Sequence, residues 1–296
     1  MRVFVTGATG FIGTTLVQEL IGAGHQVLGL ARSDAGAKWL EEAGAEVQRG
    51  DLEDLESLRS GAARSDGVAH TAFIHDFSKF AANCEIDRRA IETLGTALEG
   101  SGRPLLVTSG ILLLAPGRTA TEDDAPPKVS AAMPRASEAA AAAFVSRGVR
   151  ASAVRLPQVH DRDKQGFVTY LMAVARGKGV SAYIGDGLNR WTAVHRLDAG
   201  RLYRLALEQG EAGARYHAIA EEGVRVRDIA EAIGRRLNIP AVSIAPEQAA
   251  GHFGWLAHFA GMDAPASSQL TQQRLGWQPT ASLPGMIADL EPLGEG

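Results

Sequence analysis

Val3-Phe4-Val5-Thr6-Gly7-Ala8-Thr9-Gly10-Phe11-Ile12-Gly13 opens this chain, and an amphipathic stretch, residues 14–20, follows directly. An apolar run, a glycine-rich turn and a helix start stand in that order. The order matters because a helix N-terminus offers unpaired N–H groups and a partial positive charge to a phosphate. Gly7 suits the tight turn, Gly10 carries no side chain to block a pyrophosphate, and Gly13 lets the helix lie against the sheet. A glycine-rich loop alone says little. A strand before it and a helix after it supply the context that a dinucleotide fingerprint requires. Gly7, Thr9, Gly10, Phe11, Ile12 and Gly13 are therefore expected to bind a dinucleotide cofactor.

Strand-like and helix-like stretches alternate from there. Strands are expected at 26–31, 45–48, 67–72, 104–108 and 149–155. Helices are expected between them at 35–43, 55–63, 79–98 and 135–146, the last rich in alanine. This alternation predicts parallel βαβ units with right-handed crossovers. The expected fold class is α/β: a Rossmann-type doubly wound parallel sheet over 1–157, then a smaller, mixed α/β substrate-binding portion over 158–296. The second portion can send the chain back into the sheet. Residues 116–134, polar and proline-bearing, form a long loop of the kind that often carries function. Beyond 158 the segments shorten around several glycines, with helices at 199–208 and 227–237. Residues 290–296 are expected to fray.

The bulk numbers fit a soluble enzyme. The 296 residues are 45% hydrophobic and 22% charged, ample for a core. A formal charge of −4 gives no broad attraction to nucleic acid or to anionic membrane. The single cysteine, Cys84, excludes an internal disulfide framework and fits a reducing compartment. It reads as a small buried apolar residue. No signal-peptide pattern precedes Arg2, and no apolar run approaches the roughly 20 residues that span a bilayer. The cytoplasm is the expected location, and no metal site is expected.

The end of the second strand bears on the choice of nucleotide. An NAD site places an acidic residue there for the adenosine ribose. This chain has Ala31-Arg32-Ser33, with no acid before Asp34. Arg32 suits a 2′-phosphate and Ser33 adds a hydrogen bond, which points to NADP(H) over NAD(H). Alternatively, Arg32 is a solvated surface arginine. Asp51, followed by Leu52, either accepts from the adenine amino group or caps the next helix. Thr71-Ala72 and Thr108-Ser109 stand at carboxyl ends of strands, where open α/β sheets bind ligands.

Together these motifs resemble the extended or atypical short-chain dehydrogenase/reductases, the group that includes the NAD-dependent epimerase/dehydratase-like proteins. The resemblance rests on the opening motif, Gly50-Asp51-Leu52, His70-Thr71-Ala72, Val107-Thr108-Ser109 and Arg155-Leu156-Pro157. Trp191-Thr192-Ala193-Val194-His195-Arg196-Leu197-Asp198-Ala199 and the late Leu275-Gly276-Trp277-Gln278-Pro279 fit more loosely. It implies that Pro157 borders the cofactor. It also implies a tyrosine and a lysine four residues apart on the helix after the fifth strand, on one helix face. In the family the lysine holds the nicotinamide ribose and acidifies the tyrosine, which exchanges the substrate proton.

That pair is missing. Matching Ser137-Glu138-Ala139-Ala140 to the family's Ser-Lys segment puts Pro134 at the tyrosine's place and Glu138 at the lysine's. Shifting by one gives Arg135 and Ala139. Four residues after Tyr170, Tyr183, Tyr203 and Tyr216 come Val174, Gly187, Leu207 and Ala220. The catalytic candidates are therefore Ser109, His75, Arg135 and Glu138. Ser109 either hydrogen-bonds a carbonyl oxygen or is a polar strand end. His75 titrates in the right range or merely packs, and His160 with Asp161 offers a second such site. Arg135 either polarises a carbonyl or pairs with Glu138 along the helix. Glu138 can accept from ribose hydroxyls but has the wrong charge to acidify a phenol. Tyr183 and Trp191 line a pocket or belong to the core.

The expected function is an NADP-dependent oxidoreductase that reduces a carbonyl of a small molecule with a non-standard proton donor. The alternatives are a non-catalytic NADP-binding sensor or scaffold and, ranked last, an epimerase or dehydratase. The resemblance further implies a homodimer through helices 79–98 and 135–146, unless the alanine face at 139–143 packs on its own sheet.

Overall fold

Valine and phenylalanine alternate along strand β1 (Arg2–Thr6), yet both of its faces are buried. Val3 and Val5 enter one apolar layer and Phe4 the other. A strand buried on both faces is the mark of a parallel sheet clad by helices on both sides. The computed structural model describes residues 1–112, 114–115 and 117–291. Residue 116 of the long loop and residues 292–296 of the expected frayed tail lie outside it.

After β1 come α1 (Phe11–Gly22), β2 (Gln26–Ala31), α2 (Asp34–Glu42), β3 (Glu46–Arg49), α3 (Leu55–Ala63) and β4 (Gly67–His70). Then follow α4 (Phe80–Ala97), β5 (Pro104–Gly110), α5 (Ser137–Ala142) and β6 (Arg150–Leu156). The remainder holds β7 (Gln158–His160), α6 (Val168–Lys178), β8 (Ser181–Ile184), β9 (Arg190–His195), α7 (Arg196–Gln209) and β10 (Arg215–His217). It continues with β11 (Glu221–Arg225), α8 (Val226–Leu237), β12 (Ala241–Ile244) and short helices up to Met286–Leu290.

Seven strands form one sheet in the order β10-β6-β5-β4-β1-β2-β3, and every neighbouring pair is parallel. The order reverses between β1 and β4, so the crevice at their carboxyl ends is the topological switch point where such sheets bind ligands. The α/β doubly wound class expected from the sequence is what is observed. Two smaller sheets, β11-β9-β7 and β12-β8, build the remainder. The expected division at residue 157 is crossed by two elements. Helix α7 packs on α1, and β10 joins the main sheet beside β6. Leu202 and Tyr203 of α7 supply part of the apolar layer that Val3 and Leu16 need on that face.

The helix expected at 135–146 is shorter. Only Ser137–Ala142 is α-helical, and a 3₁₀ turn at Val145–Arg147 ends in Gly148 at φ +74°. Phe144 explains the change. It is buried against the flat face that Gly95 leaves on α4, and its amide bonds to Ala141 rather than one residue further back. Cys84 is buried, and burial pushes its thiol up to about 11, which leaves it inert. Among the described residues no helix is long and apolar enough to cross a membrane.

Candidate active site

The cradle begins where β1 ends. Gly7 turns the chain at φ +68°, tight against the Ala72 backbone, where a Cβ would lie 2.7 Å from the amide nitrogen. The Gly10 amide closes the turn on the Gly7 carbonyl at 2.8 Å. Gly10 is also the N-cap of α1, and no side chain caps that end. The first-turn amides of Phe11, Ile12 and Gly13 thus keep their donors for a ligand. A Cβ on Gly10 would meet only the Gly7 oxygen, at 3.1 Å, so the space over the turn is open. These features fit a pyrophosphate. A Cβ on Gly13 would fall 1.9 Å from that same oxygen. Gly13→Ala must therefore displace the turn. Calorimetry is expected to show coenzyme binding weakened at least about tenfold; unchanged affinity would mean that the turn does not hold the phosphates.

Past the end of β2, Arg32 and Ser33 are exposed. The Ser33 hydroxyl caps α2, accepting from the Gly36 amide at 3.2 Å. Gly36 in turn lies against Thr9, so the glycine turn and the α2 N-terminus share one wall. The parallel register sets Ala31 beside Arg49, which brings a second arginine next to Arg32. Arg49 bonds to the exposed Asp34. Sequence reasoning missed Arg49, and only the pairing of β2 with β3 reveals it. Asp51 Oδ1 accepts from the amides of Glu53 (2.8 Å) and Asp54 (3.0 Å), while Asp54 itself caps α3. Asp51 fastens the loop, not the helix. Leu52 packs against the apolar layer on the α3–α4 side. Thr71 ties β4 to β1 by donating from its hydroxyl to the Thr6 carbonyl at 2.7 Å. Pro157 is half-buried just past β6.

Behind the ends of β4 and β5 runs a buried polar chain. His70 Nε2–H donates to Asp87 Oδ1 at 3.1 Å, and its Nδ1 accepts from the Thr6 hydroxyl at 2.8 Å. Ser137 donates to Asp87 Oδ2 at 2.6 Å. Burial alone would raise the Asp87 carboxyl. The His70 contact, the Arg135 charge and the Ser137 bond outweigh it and hold that carboxyl below the usual carboxylate value. Arg135 Nε donates to Ser137 Oγ at 3.1 Å, and its NH2 donates to the Thr108 carbonyl at 3.0 Å. Its guanidinium lies 4.7 Å from the centre of the Phe73 ring. The Thr108 hydroxyl donates to the His70 carbonyl at 2.8 Å and accepts from the fully buried Tyr203 at 2.6 Å. Thr108 thus holds the framework together. Burial pushes the Tyr203 phenol up, so it does not stand in for the absent tyrosine.

Arg135 is therefore anchored by a serine, a carbonyl and an aromatic face, with no carboxylate salt bridge among the described residues. Ser109 sits beside it at the end of β5, half-buried, and its hydroxyl bonds to no other described side chain or backbone group. His75 follows β4, exposed, with its ring edge toward Phe73. Desolvation by the neighbouring rings and the cations of Arg135 and Lys164 push His75 below the ordinary histidine value.

Glu138 is different. Arg155, wholly buried, grips both of its carboxylate oxygens, Nε at 2.9 Å and NH2 at 2.8 Å. Arg215 approaches at 3.5 Å. A buried guanidinium demands a counter-charge, and Glu138 supplies it. The expected ribose contact is therefore corrected: this carboxylate belongs to a structural ion pair. The alternative pairing of Arg135 with Glu138 is not formed either.

The opposite lip was not legible in the sequence. Lys164 and Arg196 each lie 5.5 Å from the centre of the Phe11 ring, at the start of α1. Arg196 pairs with Asp161 at 2.8 Å, and Asp161 accepts from the Lys164 amide. His160 is buried on Asp289 at 2.7 Å, so His160 with Asp161 serves as framework. His195 caps α7, and Asp198 is buried on Thr280 and Arg201. Trp191 is fully buried core, and Tyr183 packs under Arg227.

The profile of the NAD dependent epimerase/dehydratase family matches residues 3–93. An uncharacterized protein of Schizosaccharomyces pombe is 50% identical, covering 95% of this chain and 96% of its own length. The chain belongs to the NAD-dependent epimerase/dehydratase family. An uncharacterized protein of Saccharomyces cerevisiae is 46% identical over 98% of both chains. At 27% identity, over 90% of this chain and 84% of its own, stands the 4-hydroxy-2-methyl-3-oxo-4-farnesyl-3,4-dihydroquinoline-1-oxide ketoreductase of Stigmatella aurantiaca. Among solved structures, the UDP-glucose 4-epimerase of Thermus thermophilus in complex with NAD has a TM-score of 0.74 at 21% identity. That likeness covers 98% of this chain and 96% of the epimerase, and it shows the shared fold. The family is one of oxidoreductase-type enzymes.

Proposed function

We propose that this protein is an NADP-dependent reductase of a ketone or aldehyde in a small molecule. The observation that carries the reading is Arg135. Its guanidinium is fixed between the ends of β4 and β5, beside the free Ser109 hydroxyl, one residue after the Pro134 that stands at the family tyrosine's place. A relative named as a ketoreductase supports the same reaction class.

When bound, the reduced nicotinamide supplies a hydride with its electron pair to the carbonyl carbon and leaves oxidised. The chain's own residues do the rest. The glycine turn and the α1 amides hold the pyrophosphate. Arg135 and Ser109 donate hydrogen bonds to the carbonyl oxygen, where negative charge grows as the C=O π bond breaks. The proton that completes the alcohol comes from water. His75, whose pKa is lowered by desolvation and by the Arg135 and Lys164 cations, relays that proton as a hydrogen-bonding group. It is not a store of acid.

Arg32, Arg49 and Ser33 support the phosphorylated coenzyme. A guanidinium suits a 2′-phosphate bidentately, and the nearest acid, Asp34, is already bonded to Arg49. Arg32→Ala is expected to weaken NADPH binding about tenfold or more, with NADH binding changed less than about twofold. Equal losses for the two coenzymes would remove the case for NADP.

The test of the reaction is NADPH absorbance followed with a panel of ketones and aldehydes. Turnover is expected. Tight NADPH binding with no turnover on any carbonyl would favour a nucleotide-binding sensor, the reading that Pro134 and the locked Glu138 support.

A further inference from the structure

We propose that the site takes a flat, apolar ring system bearing the carbonyl, seated on an aromatic wall built by three separate segments; this rests on the reductase reading above. The wall begins at Phe73, which stacks under Arg135. It continues through His75 to Phe77, with ring centres 5.5 Å and 6.2 Å apart. Phe77 stacks on Trp255 at 4.9 Å, their planes 21° apart. Phe167 and Tyr170 of the α6 region close the side, at 5.9 Å and 6.3 Å from Phe77. Phe259 backs Phe167 at 4.8 Å.

Three observations point to a ligand rather than to ordinary packing. First, the loop after β4, the start of α6 and residues 254–260 have no shared sheet, yet each sends aromatic rings to one place. The chain is only 6% aromatic, so such convergence is costly to produce by chance. Second, the wall is unfinished. Trp255 is 48% exposed and Tyr170 38%, whereas Trp191 and Trp277 are wholly buried. A half-exposed tryptophan held by its ring neighbours offers an aromatic surface at little entropic expense. Third, the wall is continuous with Arg135, the group assigned to the carbonyl oxygen. A ring seated on the exposed side of this wall would have its carbonyl substituent at the Phe73 end, where that guanidinium lies.

The wall also excludes. The polar groups of its rings are the Tyr170 hydroxyl, the Trp255 indole N–H and the His75 ring, which are too few for the many hydroxyls of a sugar. Each unpaired hydroxyl placed there would lose hydrogen bonds to water. A planar hydrocarbon ring loses none and gains stacking on each face it covers.

The experiment pairs methyl naphthyl ketone with methyl hexyl ketone on the full chain, with NADPH present. Binding is measured by calorimetry with NADP⁺, and turnover by NADPH absorbance. The naphthyl ketone is expected to bind and turn over with a KM about tenfold below that of the hexyl ketone. Trp255→Leu and Tyr170→Ala, both at exposed positions, should each raise that KM about fivefold or more and the hexyl ketone's KM by a smaller factor, with NADPH affinity unchanged. Two variants are used so that one misfolded protein does not decide the matter. Equal KM values for the two ketones, or variants without effect on the naphthyl ketone, overturn the ring proposal while leaving the reductase reading in place. Naphthyl ketone that binds, and binds less well to the variants, without being reduced upholds the ring site, and the carbonyl panel then decides the reductase reading separately. Absence of naphthyl ketone binding overturns the ring proposal outright.

Discussion

Arg135→Met is expected to lower kcat for carbonyl reduction by about two to three orders of magnitude, the effect of deleting one preorganised donor at a developing oxyanion. Coenzyme binding should change less than about twofold, because no contact of Arg135 reaches the glycine turn. Methionine keeps much of the volume against Phe73, so the loss reports the donor rather than a hole. Arg135→Lys should recover little. The anchoring uses two different nitrogens, one on Ser137 and one on the Thr108 carbonyl, and an ammonium cannot hold both and still face the substrate. The measurement is steady-state kinetics with NADPH titrations on the same variants. A kcat within about threefold of the parent would show that Arg135 does not touch the reacting oxygen.

Glu138→Lys, which restores the residue type that the family carries at this place, should produce no activity and no folded protein. It would set a second cation against Arg155, which is wholly buried, and near Arg215 at the same carboxylate. Glu138→Ala is milder but still severe. Removing one partner of a buried pair costs about 3–5 kcal/mol, because the remaining charge is left unpaired. For a chain of this size that is a fall in Tm on the order of 10 °C. His217 cannot take over. Burial, the largest influence, pushes it down to about 4, so it is neutral and offers Arg155 only a lone pair. Thermal melts by circular dichroism check both variants. A Glu138→Lys protein that melts like the parent would show that Arg155 does not depend on this carboxylate.

These two residues stand three positions apart and have opposite fates, which no reading of the helix itself distinguishes. Position 135 precedes the first turn of α5 and turns back toward Thr108. Position 138 faces β6 and meets Arg155. The helix is only six residues long, so which side chain faces the site depends on how it seats against Phe144, Gly95 and β6.

Local pattern alone determined a good deal. The order strand, glycine turn, helix at residues 3–20 is short-range, and the backbone of Gly7 and Gly13 permits no other residue in that geometry. The alternation through residue 156 is likewise local, since each strand needs only its own run of apolar residues to be buried on both faces. Tertiary structure decided the rest. Arg49 joins Arg32 only through strand register, and Lys164 with Arg196 meets Phe11 across more than a hundred residues of chain. Trp255 reaches Phe77 over a comparable span. Helix α7 and β10 return to the sheet because the first half leaves one face of β6 and of α1 uncovered. Periodicity encodes which side of an element is apolar, but not which distant apolar side will cover it, and it is those pairings that bring the charges and aromatic rings of the site together.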